Sequence, residues 1–219
     1  MTPDTAHRRA AHLLHAARAG GRRRLLGIAG APGAGKSVLA ASLAGLGPEV
    51  AVVGMDGWHL ANSTLDRLGR RERKGAPDTF DAAGYVAFLR RVRSRESTVW
   101  APEYRRSVEE AIGGATQVGP GVALLVTEGN YLLLDAPPWD GVRPLLDETW
   151  FVAPDEALRR ERLIARHERH GRSHAEAVAR ADGSDAANAA LVAATGDRAD
   201  RVVVDPPALR PPTPGPAAR

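Results

Sequence analysis

Residues 24 to 44 are ordered in a way that admits few folds. Arg24-Leu25-Leu26-Gly27-Ile28-Ala29 is a short apolar run suited to a buried parallel strand. It leads straight into Gly30-Ala31-Pro32-Gly33-Ala34-Gly35-Lys36-Ser37, which is G-x-x-x-x-G-K-S without a mismatch. Val38 to Ala44 then continues as a helix that Gly45 and Gly47-Pro48 stop. A strand, a glycine loop and a helix in that order make a phosphate-binding loop. The glycines let successive backbone N–H groups turn inward as an anion nest, and the helix N-terminus adds its positive dipole end. The residues expected to cradle a nucleotide's phosphates are Gly30, Ala31, Pro32, Gly33, Ala34, Gly35, Lys36, Ser37 and Val38, with the Ser37 hydroxyl placed on Mg²⁺.

Only two of the 30 basic residues are lysine, Lys36 and Lys74. Lys36 resists the drift to arginine for a chemical reason. A compact ammonium slides between the β- and γ-phosphates, whereas a planar guanidinium is too wide for that slot. The same scarcity argues against a guanine-reading switch protein, because no Asn/Thr-Lys-x-Asp segment can be written with lysine at 36 and 74 alone.

At 219 residues, 43% hydrophobic and 26% charged, the chain suits one globular domain with a small lid. No apolar run is long enough to cross a bilayer, and no cysteine offers a disulfide or a thiolate metal site. With no signal peptide in view, a cytoplasmic protein without a membrane partner is expected. The isoelectric point near 10.1 suggests nucleic acid, yet the formal charge is only +4 and the arginines are scattered among acids. An anionic small molecule is the expected partner rather than DNA, and the oligomeric state, a homodimer included, is left open.

Along the chain, residues 1–21 read as an N-terminal surface helix and 22–204 as the main domain. Val50 to Met55, Thr98-Val99-Trp100, Val122 to Val126, Glu148 to Val152 and Arg201 to Val204 read as further strands. Helices are expected from Phe80-Asp81 to Arg93, Pro154 to His170, Ser173 to Arg180 and Ser184 to Thr195, with a polar loop over 57–79. The Pro/Ala/Arg-rich tail 205–219 reads as disordered. Strands alternating with helices predict an α/β three-layer sandwich of the P-loop NTPase class, with a mostly parallel central sheet and a small helical lid at about 162–175.

In such a sheet chemistry gathers at the carboxyl ends of strands. Asp56 follows the second strand and Glu128 follows the central apolar one. Phosphoryl transfer needs a group that orients or deprotonates the attacking hydroxyl and a carboxylate that holds Mg²⁺. Asp56 suits the first role, while Ser37 and Glu128 suit the second. Trp58 and Tyr104 are expected to stack on a ring of the acceptor, and His59, Arg73 and Lys74 to bond its hydroxyl or anionic groups. Phe88, on an apolar helix face with Tyr85 and Leu89, reads as core.

Four segments together carry a family resemblance: Gly30 to Ser37, Met55-Asp56-Gly57-Trp58-His59-Leu60, Arg73 to Asp81, and Glu128-Gly129-Asn130-Tyr131-Leu132-Leu133. In this order they resemble the phosphoribulokinase, uridine kinase and bacterial pantothenate kinase superfamily. Gly183 to Ala189 and Thr195 to Asp200 make the chain look most like its bacterial nucleoside/nucleotide kinase-like branch, which includes fructose-transport-system kinases.

The resemblance implies ATP- and Mg²⁺-dependent transfer of a phosphoryl group to a hydroxyl of a nucleoside, sugar or pantothenate-like metabolite. It makes Asp56 the catalytic aspartate and puts Arg166 and Arg172 on a lid that closes over the phosphates. Arg159, Arg160, Arg162 and Arg169 are expected on a solvated face. Relatives usually carry Pro-x-Tyr/Phe-Asp-Arg where this chain has Pro102-Glu103-Tyr104-Arg105-Arg106. In uridine kinases that Asp helps to hold the substrate, so Arg105 in its place points toward an acidic acceptor. A different class of activity, a regulatory P-loop NTPase without a small-molecule acceptor, would show turnover independent of any acceptor.

Overall fold

The computed structural model of the chain describes residues 1–204. The tail expected to be disordered, 205–219, lies outside the described residues. The described strands are β1 (Arg24–Ala29), β2 (Val50–Gly54), β3 (Val99–Arg105), β4 (Glu110–Val118), β5 (Leu124–Gly129), β6 (Glu148–Val152) and β7 (Arg201–Val203). Five of them form one sheet in the order β2-β5-β1-β6-β7, with every pairing parallel. The apolar runs are continuous because both faces of this sheet are covered. Leu25 and Ala29 of β1 enter one core, and Leu26 and Ile28 enter the other.

The helices are α1 (Pro3–Gly20), α2 (Lys36–Ala44), α3 (Asn62–Arg67), α4 (Ala82–Val92), α5 (Glu156–Arg169), α6 (His174–Asp182) and α7 (Ser184–Ala193). On one face of the sheet lie α1 and α2. Helix α1 buries Ala6, Ala10, Leu13, Leu14 and Ala17, an apolar stripe at helical spacing, and Arg9 fastens it to Glu148 of β6. On the other face α4 buries Tyr85, Val86, Phe88, Leu89 and Val92, so Phe88 is core as its spacing predicts. This is the three-layer sandwich read from the sequence.

Two local expectations are corrected. The strand expected at 98–100 does not join the main sheet. It extends to Arg105 and pairs antiparallel with β4 as a separate hairpin. Strand β4 has no apolar alternation to reveal it, because most of its residues stay in contact with solvent. The polar loop over 57–79 also contains α3, a short helix whose only buried residue is Leu65.

Helices α5 and α6 meet at the segment expected as the lid, about 162–175. Gly171, at φ 91°, lets the chain turn between them, and Ser173 and Glu176 start α6 with a reciprocal capping box. Their apolar residues Leu163, Ile164, Ala177 and Ala181 make a small core of their own. No described helix is long and apolar enough to cross a membrane.

Candidate active site

The glycine loop ends β1 and starts α2. At Gly33 (φ +84°) a Cβ would sit 2.8 Å from Arg159 O and 3.1 Å from Leu163 Cβ, so α5 packs directly on the loop. Arg159 is not on a solvated face. It is 5% exposed, donates from Nη1 to Pro32 O at 2.6 Å, and is held by Glu156 through its other nitrogens. One helical turn further on, Arg162 keeps a buried Nη1 without a hydrogen-bond partner.

Lys36 Nζ donates to Ala31 O at 3.1 Å and to Asn130 Oδ1 at 2.9 Å. Burial pushes this ammonium down to about 8, against the pull of Glu128 and Asp56. The next residue, Ser37, donates from Oγ to Glu128 Oε1 at 3.0 Å. Glu128 is raised above the ordinary glutamate value, first by burial and then by the neighbouring Asp56 charge, while Lys36 and the Ser37 hydroxyl oppose the rise.

Strand register brings the two carboxylates together. β2 lies beside β5 with Gly54 opposite Glu128, so the turn Met55–Trp58 that ends β2 delivers Asp56 to the same rim. The Asp-Gly dipeptide there is set by a close approach. A Cβ on Gly57 would drive into Pro102 O of β3. Burial alone would raise the Asp56 carboxyl, but His59, Arg106, Lys36 and Arg166 together hold it below the usual aspartate value. His59 Nδ1 donates to Asp56 O at 2.9 Å, and burial lowers the imidazole below its ordinary value.

Lys36, Ser37, Asp56, Glu128, Arg166 and Arg172 all open onto one cavity of about 340 Å³. His59, Phe80, Lys74, Tyr104 and Arg106 also line it, and a second cavity of about 290 Å³ adjoins across Asp56 and Arg106. The structure therefore brings together the loop, both carboxylates, the two lid arginines and three of the expected acceptor residues, His59, Lys74 and Tyr104. Among the described residues there is no cluster of three or more His, Asp or Glu side chains that could hold a metal alone.

Three expected acceptor residues lie elsewhere. Trp58 is 8% exposed and packs its ring on Tyr85 and Phe88 at 4.9 and 4.8 Å, so it belongs to the core. Arg73 turns out to solvent and pairs with Asp78 at 2.5 Å. Arg105 is exposed on the opposite face of β3 from Tyr104, because successive strand residues point to opposite sides.

The neighbouring Arg106 lines the cavity instead, with its Nη2 3.4 Å from Asp56 Oδ2. Arg106 opens the turn one residue past β3, and continuing the alternation from Tyr104 is the signal that could have found it. Asn130, two residues past Glu128 and just beyond β5, is a further site residue that no role in the motif marks. Arg71 and Arg180 reach the cavity through folds of the chain that no local pattern announces.

No family model matches the chain. Among curated proteins it is 34% identical over 185 residues to "Putative uridine kinase C227.14" of Schizosaccharomyces pombe, covering 78% of each chain. It is 32% identical over 141 residues to the pantothenate kinase of Enterococcus faecalis, covering 61% of this chain and 46% of that one. Among solved structures it matches the "putative fructose transport system kinase" of Silicibacter sp. TM1040 at 40% identity and TM-score 0.74, covering 83% of this chain and 89% of the other.

Proposed function

The chain belongs to the superfamily of P-loop small-molecule kinases that holds the uridine kinases and the bacterial pantothenate kinases, and on that premise we propose that it transfers the γ-phosphoryl group of ATP to a hydroxyl of a small metabolite. One observation carries this reading. Lys36, Ser37, Asp56 and Glu128 line a single cavity of about 340 Å³ together with His59, Lys74 and Tyr104.

The residues present fit both ATP and Mg²⁺. The glycine loop is already wound, with Gly33 and Gly35 at positive φ. Lys36 is held by two neutral oxygens that it can exchange for phosphate. Ser37 and Glu128 are the pair that would hold Mg²⁺, an ion usually bound by one or two protein groups together with phosphates, and it would supply neutralisation of the β- and γ-phosphates.

Asp56 orients the acceptor hydroxyl and accepts its proton as the new O–P bond forms and the bond from γ-phosphorus to the bridging oxygen breaks. Phosphoryl transfer passes through a loose transition state, so a carboxylate held below its ordinary pKa suffices, and positioning matters more than basicity. Arg166 carries no ion pair among the described residues, and burial lowers it from the ordinary arginine value. It brings an unneutralised charge to the oxygens of the transferring group. The lid excludes water, which limits hydrolysis of ATP.

The reading is tested by following ADP release from purified protein with MgATP across a panel of hydroxyl compounds. Acceptor-dependent release is expected, and Asp56→Asn is expected to lower it by ~10²–10⁴-fold while nucleotide binding persists. Release that no acceptor enhances would favour a regulatory NTPase instead.

A further inference from the structure

We propose that the acceptor is a small non-aromatic compound with an anionic group, a carboxylate or a phosphate, next to the hydroxyl that receives the phosphoryl group, and that Arg106 reads that anion. The proposal rests on the kinase reading above and names the class of its second substrate.

The cavity offers no free aromatic face on which a base or other flat ring could stack. Trp58 is in the core. Phe80 is already packed on His59 at 3.9 Å, and its edges meet Tyr131 and Trp139 at 5.7 Å each. Around Tyr104, His59 lies at 4.7 Å, Lys74 Nζ at 5.2 Å and the Arg106 guanidinium at 5.8 Å from the ring centre. A flat ring could reach these faces only by displacing groups that now gain from them.

Cationic valence, by contrast, is left over. Arg106 makes one long contact, 3.4 Å to Asp56 Oδ2, whereas a saturated guanidinium–carboxylate bond runs at ~2.7–2.9 Å. Lys74 donates to two neutral oxygens, Asn62 Oδ1 at 2.5 Å and Glu109 O at 2.6 Å, and has no carboxylate in ion-pair range. Arg71 reaches the same cavity with no side-chain partner among the described residues. Glu72 and Glu109 also line the cavity, but both are exposed and neither forms an ion pair with these three cations.

Both lysines of the chain thus border one cavity. Glu109 adopts a left-handed backbone at φ 51°, and its carbonyl meets the Lys74 ammonium. Such a conformation is uncommon for a residue other than glycine and occurs in a hairpin turn that closes this wall.

The spacing gives the acceptor its shape. Arg106 leans on the carboxylate that must receive the hydroxyl proton. A neutral alcohol would compete with that guanidinium for Asp56. An acceptor with an anion beside its hydroxyl draws Arg106 onto the anion and leaves Asp56 free for the proton, so recognition and activation occur together. At about 340 Å³, shared with the phosphates, the cavity favours a short carbon skeleton.

The test uses the full chain with MgATP and sets of acceptors of increasing length, each set holding a polyol, the matching hydroxy acid and the matching phosphomonoester. Uridine is added as a flat-ringed acceptor. ADP release is read together with the product by phosphorus NMR. One anionic member is expected to exceed its neutral counterpart by at least ~10-fold in kcat/KM, and Arg106→Gln to raise its KM by ~10–100-fold, the loss of a hydrogen bond to a charged group. The carboxylate and phosphate arms identify which anion is read.

Phosphorylation of a polyol or of uridine as efficiently as any anionic member would overturn the proposal and leave the kinase reading intact. So would an unchanged KM in Arg106→Gln. If no compound raises ADP release, both readings fall.

Discussion

At the scale of single residues, Lys36 is the most telling. Its ammonium is held without a phosphate by Ala31 O and Asn130 Oδ1, and burial pushes it down to about 8. A triphosphate beside it favours the charged form and raises the value again. Between those two values binding takes up a proton, so affinity is greatest below pH 8 and declines as pH climbs through it, by up to about tenfold per unit for one proton. Titration calorimetry in two buffers of different ionisation enthalpy reads this directly, and a binding enthalpy independent of the buffer at pH 8 would contradict it. Arg105 and Arg106 show how far one position matters. Arg105 is exposed on the far face of β3, so Arg105→Gln is expected to alter acceptor KM by less than about twofold, the range of ordinary surface substitutions. Steady-state kinetics on that variant decides it. Arg105 was expected at the acceptor, but the face it takes depends on where the strand begins, which composition does not fix.

Among the elements, the β3–β4 hairpin forms one wall of the site and was the least visible beforehand. It rests on the turn after β2, where Gly57 leaves room for the Pro102 carbonyl. Gly57→Ala is therefore expected to lift the hairpin from that turn, destabilise the fold by about 1–3 kcal/mol, and raise acceptor KM through displaced Tyr104 and Arg106. Urea denaturation and kinetics check the two effects together. The parallel strands were legible because burial on both faces writes an unbroken apolar run. Strand β4 was not, because a solvated hairpin imposes no such pattern. Helix α5 shows a third case. Its arginines read as one charged surface, yet the close approach at Gly33 turns Arg159 into a clamp on the Pro32 carbonyl. Nothing in the local spacing separates that arginine from Arg160, which stays outside and pairs with Asp182.

For the molecule as a whole, the phosphate loop is shared by several parts: β1 and α2 form it, β5 contributes Glu128 and the residue after it Asn130, and α5 closes against it. A ligand on the loop therefore stabilises the assembly rather than one segment. MgATP at about 100 times its Kd should add ~2.7 kcal/mol and raise the melting temperature by roughly 5–10 °C for a domain of this size. Thermal denaturation with and without nucleotide measures it, and no shift at saturation would contradict a loop built into the folding unit. The sequence by itself determined the α/β sandwich, the phosphate loop and the two strand-end carboxylates, since these follow from apolar runs and a contiguous motif whose geometry is local. The tertiary structure alone decided that Trp58 is core, that Arg106 and not Arg105 lines the cavity, and that Asn130 and Arg159 support the loop. These outcomes depend on strand register and helix docking between residues far apart in the chain, where the competition for space is settled by packing rather than by any neighbour in sequence.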